Sequence, residues 1–124
     1  MHEGALTEDL FQHVLLHAEE AGARRVTRVK VTIGKLSDAT AESIEFYFRS
    51  MEPGTMVEGA ALEFDSAPGT AQCPSCGKEF VIEDPYSACP ACGTFPVTVT
   101  GGNGVYLSSL EVETDDHRQE HIHE

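Results

Sequence analysis

The chain of 124 residues contains no tryptophan, few other aromatic residues and no long apolar run. No stretch approaches the roughly 18 consecutive apolar residues of a membrane-spanning helix, so the sequence predicts no transmembrane segment. The first residues are acidic and lack the apolar region of a secretory signal, so we expect a cytoplasmic location and no membrane partner. Apolar residues make up 40% of the chain, which allows a modest hydrophobic core.

Basic residues are also scarce. Eight lysines and arginines stand against 21 aspartates and glutamates, which gives a formal net charge of -13. This charge repels polyanions, so we expect no nucleic-acid partner. An acidic surface mainly indicates solubility, and it indicates attraction of cations only weakly.

The apolar pattern predicts two helices. Apolar residues recur with the helical period in residues 5–21, and Gly22 follows as a residue typical of a helix end. A second helix is expected to begin after the potential capping residues within 37–40 and to end near residue 51.

Strands and turns fill most of the remaining chain. Alternating apolar residues predict strands over residues 28–34, 60–65 and 105–113, with a β-prone segment at 95–100. Residues 67–70 are predicted to be a linker, and the polar residues 115–124 are predicted to be disordered. The order of elements predicts an α+β fold in which two helices pack on a small mixed sheet, with an inserted cysteine-rich subdomain.

The four cysteines occur as two close pairs. They form the knuckles Cys73-Pro74-Ser75-Cys76-Gly77 and Cys89-Pro90-Ala91-Cys92-Gly93. Two sulfurs separated by two residues can converge on one ion, and the following glycine permits the positive φ of a tight turn. Four thiolates make a closed tetrahedral set, so we predict a structural Zn²⁺ site of the zinc-ribbon type at Cys73, Cys76, Cys89 and Cys92. The same ligands suit iron, so a coloured, rubredoxin-type electron carrier remains an alternative.

A zinc ribbon by itself does not define a function, because such modules also dock nucleic acids or proteins. Between the two knuckles Lys78 is outnumbered by Glu79, Glu83 and Asp84. The basic and aromatic face that a nucleic acid requires is therefore missing from this segment. A ribbon that docks another protein remains the alternative interpretation.

Met-His-Glu at the start of the chain is a second candidate metal site. The Met1 amine, the His2 amide and imidazole, and a Glu3 carboxylate or amide place nitrogen and oxygen donors within one short stretch. Ni²⁺ and Cu²⁺ favour square-planar sites built from such donors. A histidine near a chain end usually has no such role, so these residues alone leave both interpretations open.

Several motifs together resemble the HypA/HybF family of nickel metallochaperones. They are Met-His-Glu, the apolar pattern from Leu6 to Ala18, Val-Thr-Ile-Gly-Lys-Leu-Ser, Glu-Ser-Ile-Glu-Phe, the two Cys-Pro-x-Cys-Gly knuckles and Gly-Val-Tyr-Leu-Ser-Ser-Leu-Glu-Val. The resemblance covers residues 1 to about 113, and the motifs occur in the family's order.

The resemblance implies a carrier that delivers Ni²⁺ to the large-subunit precursor of [NiFe]-hydrogenase, together with a HypB-type GTPase, and in some members to urease. It implies that nickel binds at Met1, His2 and Glu3, and that a structural zinc binds the four cysteines. It also implies a nickel-binding domain of residues 1–69 and 95–114 and a zinc-ribbon module of residues 70–94. Residues 115–124 then form a flexible, histidine-containing tail.

Other histidines carry weaker predictions. His13 and His17 lie four residues apart on the first predicted helix, with Glu20 one turn further, and can be either metal ligands or solvated surface residues. In the tail, His117, His121 and His123 offer a weak second nickel site or no function at all.

The residues argue against catalysis. No nucleophile with a base and an orienting group stands out, and no glycine-rich phosphate loop precedes a helix. A hydrolytic zinc enzyme conflicts with four thiolates that leave no open coordination position. The main alternative to a nickel carrier is therefore a zinc-ribbon docking module without a nickel role.

Overall fold

The computed structural model describes residues 3–115 and 119–123. The elements in chain order are α1 (Glu3–Glu20), β1 (Ala23–Gly34), α2 (Ala41–Met51), β2 (Ala61–Ala67), β3 (Gly69–Gln72), β4 (Glu79–Ile82), β5 (Thr98–Gly101), β6 (Val105–Thr114) and β7 (Gln119–His123). The strands form a four-stranded mixed sheet in the order β2-β1-β6-β7 and a three-stranded sheet in the order β4-β3-β5. The predicted α+β fold, with two helices, a small mixed sheet and an inserted cysteine-rich subdomain, is confirmed.

The chain divides into two compact units. The first contains the described residues up to Thr32, Ala39–Asp65 and those from Tyr106 onward, and the second contains Ile33–Asp38 and Ser66–Val105. The second unit includes more of the chain than the ribbon module that was predicted over residues 70–94. The assignment of nickel binding to the first unit remains a prediction.

Aromatic packing joins the two helices of the first unit. The rings of Phe11 on α1 and Phe48 on α2 meet edge to face, with centroids 5.0 Å apart. Both side chains are buried, and so are Val14, one turn after Phe11 on α1, and Ile44, one turn before Phe48 on α2. The strands complete this core with Val26, Val29, Val31, Leu107, Leu110 and Val112. The periodicity that predicted the helices therefore corresponds to their buried faces.

Helix α2 begins and ends with side-chain contacts. Thr40 is the N-cap, and its hydroxyl accepts a hydrogen bond from the Ser43 amide at 3.1 Å. At the other end, the Arg49 guanidinium donates to the Glu52 carboxylate at 2.8 Å. Glu52 is buried, and the pair satisfies a carboxylate that would otherwise be costly to remove from water.

Residues 33–38 belong to the second unit through backbone hydrogen bonds. The amide of Gly34 donates to the Gly104 carbonyl, and the amide of Leu36 donates to the Gly102 carbonyl, each at 2.8 Å. A Cβ at Gly34 would collide with the Gly102 carbonyl, so this close backbone approach requires glycine. The turn at residues 102–104, between β5 and β6, therefore holds the end of β1 and the segment after it.

Two segments differ from the sequence predictions. The predicted linker over 67–70 instead contains the start of β3, which is the central strand of its sheet and pairs antiparallel with both β4 and β5. Part of the tail predicted to be disordered forms β7, which pairs antiparallel with β6 from Ser109 to Glu113. Both short strands are specified by their pairing with other strands, β3 with β4 and β5 and β7 with the preceding β6, and a local apolar pattern does not record such pairing. His117 lies outside the described residues.

Within the described residues, no helix has the length and apolar character needed to cross a membrane.

Candidate metal centre

The four cysteines occupy two turns of the second unit. Cys73 and Cys76 lie in the turn between β3 and β4, and Cys89 and Cys92 lie in the segment between β4 and β5. Their sulfurs all lie within 4.8 Å of one another. The fold thus brings together the four residues that the spacing of the knuckles predicted.

The sulfur separations match those of a tetrahedral metal site. The Sγ atoms of Cys73 and Cys92 are 3.6 Å apart, and those of Cys76 and Cys89 are 3.7 Å apart. Four sulfurs placed about 2.3 Å from a central Zn²⁺ would be separated by ~3.8 Å. The cluster is therefore of a size that can hold one ion with four thiolates.

The two knuckles share one backbone conformation. The amide of Gly77 donates to the Cys73 carbonyl at 2.9 Å, and the amide of Gly93 donates to the Cys89 carbonyl at 2.8 Å. The two glycines have φ values of 76° and 77°, which other residues rarely adopt. This confirms the predicted use of the glycine that follows each pair.

Backbone amides point at the first sulfur. The amides of Cys76 and Ser75 donate to the Cys73 Sγ, each at 3.4 Å. The Cys76 amide is the larger cause of a pKa for Cys73 lowered to about 6, and it outweighs burial, which acts in the opposite direction. Amide donors of this kind stabilise a thiolate, which is the form that ligates metal.

The second cysteine of the first knuckle behaves differently. The amide of Lys78 favours the thiolate of Cys76, but the neighbouring thiols, Cys73 first among them, and burial together raise its pKa to about 11. Burial disfavours the thiolate of Cys89, yet amide donors on its own knuckle leave its pKa lowered. Four thiolates this close together repel one another, and a bound cation would offset that repulsion, so the donor set suits a metal ion.

Thr94 is a member of the centre that the sequence analysis did not identify. Its hydroxyl lies 3.1 Å from the Cys92 Sγ, and its carbonyl accepts from the Cys89 amide at 3.0 Å. In the sequence, Thr94 directly follows the Cys-x-x-Cys-Gly of the second knuckle, and Lys78 holds the same place in the first knuckle. Only this position next to a knuckle could have pointed to Thr94. Contacts of this kind orient a metal ligand from outside the ligand set.

The other predicted metal site lies mostly outside the described residues. Met1 and His2 are not described, and Glu3 is the first residue of α1. Gly4 lies against α2, where a Cβ added to it would be 3.5 Å from the Tyr47 ring. The chain therefore enters α1 beside Tyr47.

The remaining predicted histidines occupy two places in the first unit. His13 and His17 lie on α1 with ring centroids 5.8 Å apart, and Nδ1 of His17 is 3.7 Å from the Glu20 carboxylate. His121 lies on β7, with Nδ1 3.5 Å from the Glu111 carboxylate.

Comparison with known proteins identifies the family. The family described as hydrogenase/urease nickel incorporation, metallochaperone, HypA matches residues 1–112. The hydrogenase maturation factor HypA of Geobacter metallireducens is 38% identical over 113 residues, which are 91% of this chain and 100% of that protein. The corresponding factor of Azotobacter chroococcum is 39% identical over 116 residues and is also matched over its whole length.

A solved structure agrees with this result. The solution structure of the Ni metallochaperone HypA from Helicobacter pylori superimposes with a TM-score of 0.77 and 26% identity, covering 93% of this chain and 100% of that chain. The family is one of metallochaperones and not of enzymes. The chain belongs to the HypA family of nickel metallochaperones that act in hydrogenase and urease maturation.

Proposed function

We propose that this chain binds Ni²⁺ at Met1, His2 and Glu3 and delivers it to the large-subunit precursor of [NiFe]-hydrogenase. The observation that carries the proposal is a family match that begins at residue 1 and therefore includes the Met-His-Glu motif. The four cysteines hold a structural zinc and take no part in carrying nickel. Delivery takes place in the cytoplasm, together with a HypB-type GTPase.

The chemistry of the tripeptide supports nickel over zinc as the cargo. The Met1 amine, the His2 amide nitrogen and the His2 imidazole form adjacent chelate rings, and Glu3 supplies a further oxygen or nitrogen donor. Deprotonated amide and imidazole nitrogens favour the square-planar geometry of Ni²⁺, whereas Zn²⁺ has no such preference. Nickel bound there is the substrate of the delivery step and leaves with it.

The position of the helix start makes these donors available. Helix α1 begins at Glu3, and the first four amides of a helix have no intrahelical acceptor. A nickel ion can therefore take a backbone nitrogen at the chain end without breaking a hydrogen bond of α1. The same lack of helical bonds allows the site to open when nickel is released.

The zinc centre stabilises the fold of the second unit, which contains all four cysteines. Cys73 and Cys89 are buried, whereas Cys76 and Cys92 are exposed, and four thiolates leave no position for a substrate. The ion replaces a hydrophobic core that a segment of this size is too small to form. Its role is therefore to hold the ribbon folded.

Restoration of hydrogenase in cells tests the delivery step. In cells that lack their own factor, this chain should restore nickel content and activity of the hydrogenase, and His2→Ala should not. Gln12→Ala, which changes an exposed residue of α1, is the matched control and should restore both. Equal restoration by His2→Ala at equal protein level would contradict the proposal and favour a ribbon docking module.

A further inference from the structure

One face of α1 carries a column of potential metal ligands. Asp9, His13, His17 and Glu20 follow one another at intervals of four, four and three residues, so they lie on the same side of the helix. Asp9, His13 and Glu20 are exposed and His17 is half-buried. His13 is ten residues after the start of α1, which places it ~15 Å along the axis from Glu3. The column is therefore separate from the chain end.

The two imidazoles are close enough to share one ion. Their ring centroids are 5.8 Å apart and the ring planes meet at 62°. An ion bound ~2.1 Å from one nitrogen of each ring in tetrahedral geometry separates the ring centroids by ~5.3 Å. Two histidines four residues apart on a helix are also the arrangement by which helical metal sites hold zinc. Only small side-chain rotations are required.

Glu20 lies beside His17 at one end of the column. Its carboxylate is 3.7 Å from Nδ1 of His17, and a small side-chain rotation would bring it within hydrogen-bond distance of that nitrogen. Nε2 of His17 would then face the ion, as in the carboxylate–histidine–metal arrangement of many metal sites. Asp9 stands one turn before His13 at the other end of the column.

We propose that His13 and His17 form a second, exchangeable site for a borderline divalent cation, Ni²⁺ or Zn²⁺. Each histidine supplies one ring nitrogen. No third ligand atom within the described parts of the chain lies close enough to complete a cluster, so water fills the other positions. The acidic surface, with a formal net charge of -13, concentrates such cations near the helix. The site does not depend on nickel binding at Met-His-Glu.

Imidazole NMR on the full chain tests the proposal residue by residue. The protein carries zinc in the ribbon and His2→Ala at the chain end, and ZnCl₂ or NiSO₄ is added in turn. We expect the ring signals of His13 and His17 to respond together, with one midpoint for each metal, by shifts for Zn²⁺ and by broadening for Ni²⁺. Signals of the C-terminal histidines report any binding there separately.

The matched control keeps the number of histidines constant. Gln12→His combined with His13→Gln moves one histidine to a spacing of five residues, where it no longer shares a face with His17. Because the second ligand in a chelate acts intramolecularly, this exchange should weaken the response of His17 about a hundredfold. An unchanged midpoint for His17, or no response of either ring at millimolar metal, would overturn the proposal. Both results can be obtained whatever happens at Met-His-Glu.

Discussion

The imidazole of His121 lies 3.5 Å from the Glu111 carboxylate, directly across the ladder between β7 and β6. Arg28 on β1 approaches the same carboxylate, with Nε 3.6 Å from its other oxygen. The His121–Glu111 pair therefore connects β7 to charged side chains on β6 and β1. Because the family match ends at residue 112, β7 lies beyond the part of the chain that the family shares.

Backbone pairing, and not the His121–Glu111 pair, should hold β7 in place. In a chain that ends at Asp115, the β6 amides that bond to β7 should exchange with solvent at least ~10-fold faster, because their acceptors are gone. His121→Ala in the full chain should change the free energy of unfolding by less than about 1 kcal/mol, since the pair is half-exposed. Hydrogen exchange measures the first effect and urea unfolding the second. Equal protection of these amides in the full chain and in the chain that ends at Asp115 would mean that β7 does not pair with β6.

Phe48 and Phe46 provide a matched pair for the core of the first unit. Phe48 is fully buried against Phe11, whereas Phe46, two residues earlier on the same helix, is 71% exposed. Phe48→Ala should lower the free energy of unfolding by about 3–5 kcal/mol, because it removes buried apolar area and leaves a cavity. Phe46→Ala should change it by no more than about 0.5 kcal/mol. Similar losses for both variants in denaturant unfolding would contradict the burial of Phe48 against Phe11.

Loss of zinc should unfold the ribbon and spare the helices. Cys73→Ser removes a buried ligand, so bound zinc should fall from one equivalent to nearly none. Amide signals of β3, β4 and β5 should then collapse, while the helical circular dichroism should persist, because the helices have their own core. The purified wild-type protein should be colourless and contain zinc by elemental analysis. Visible absorption with stoichiometric iron would support the electron-carrier alternative instead.

Proton release on zinc binding should depend on pH. The pKa of Cys73 is lowered to about 6 and that of Cys76 is raised to about 11. These values belong to the folded ribbon. Without metal the ribbon unfolds and its thiols return to the ordinary pKa of about 8.5, so zinc binding at pH 7 should displace nearly four protons. At about pH 9.5 most thiols of the unfolded ribbon are already thiolates, and the number should fall below about one. Calorimetry in buffers of different ionisation enthalpy counts the protons, and three or fewer at pH 7 would show that the metal-free ribbon keeps the amide donors to Cys73.

Local signals in the sequence were sufficient for the helices and the metal cluster. The cap at Thr40 and the buried positions Ile44 and Phe48 follow from chemistry within a few residues of α2. Tyr47, beside Phe48 in the sequence of the same helix, is apolar in type but 38% exposed, so residue type alone does not define the buried face. The knuckles are equally local, because spacing alone brings two sulfurs together in each turn.

Features that depend on pairing between segments were not predictable in the same way. Strand β3 begins in a Pro-Gly segment that resembles a linker, yet Ala71 is fully buried between two partner strands. Strand β7 is polar, and only its register with β6 distinguishes it from a disordered tail. The inclusion of residues 33–38 in the ribbon unit depends on the carbonyls of Gly102 and Gly104, which lie far along the chain.

A nickel titration tests the central claim most directly. Zinc-loaded protein with a free Met1 amine, ending at Asp115 and carrying His13→Gln and His17→Gln, should bind one equivalent of Ni²⁺ in a calorimeter. The same protein with His2→Ala should lose stoichiometric binding, because it lacks the imidazole and retains only weaker donors. Equal binding by both proteins, or binding by neither, would contradict the assignment of the nickel cargo to Met-His-Glu.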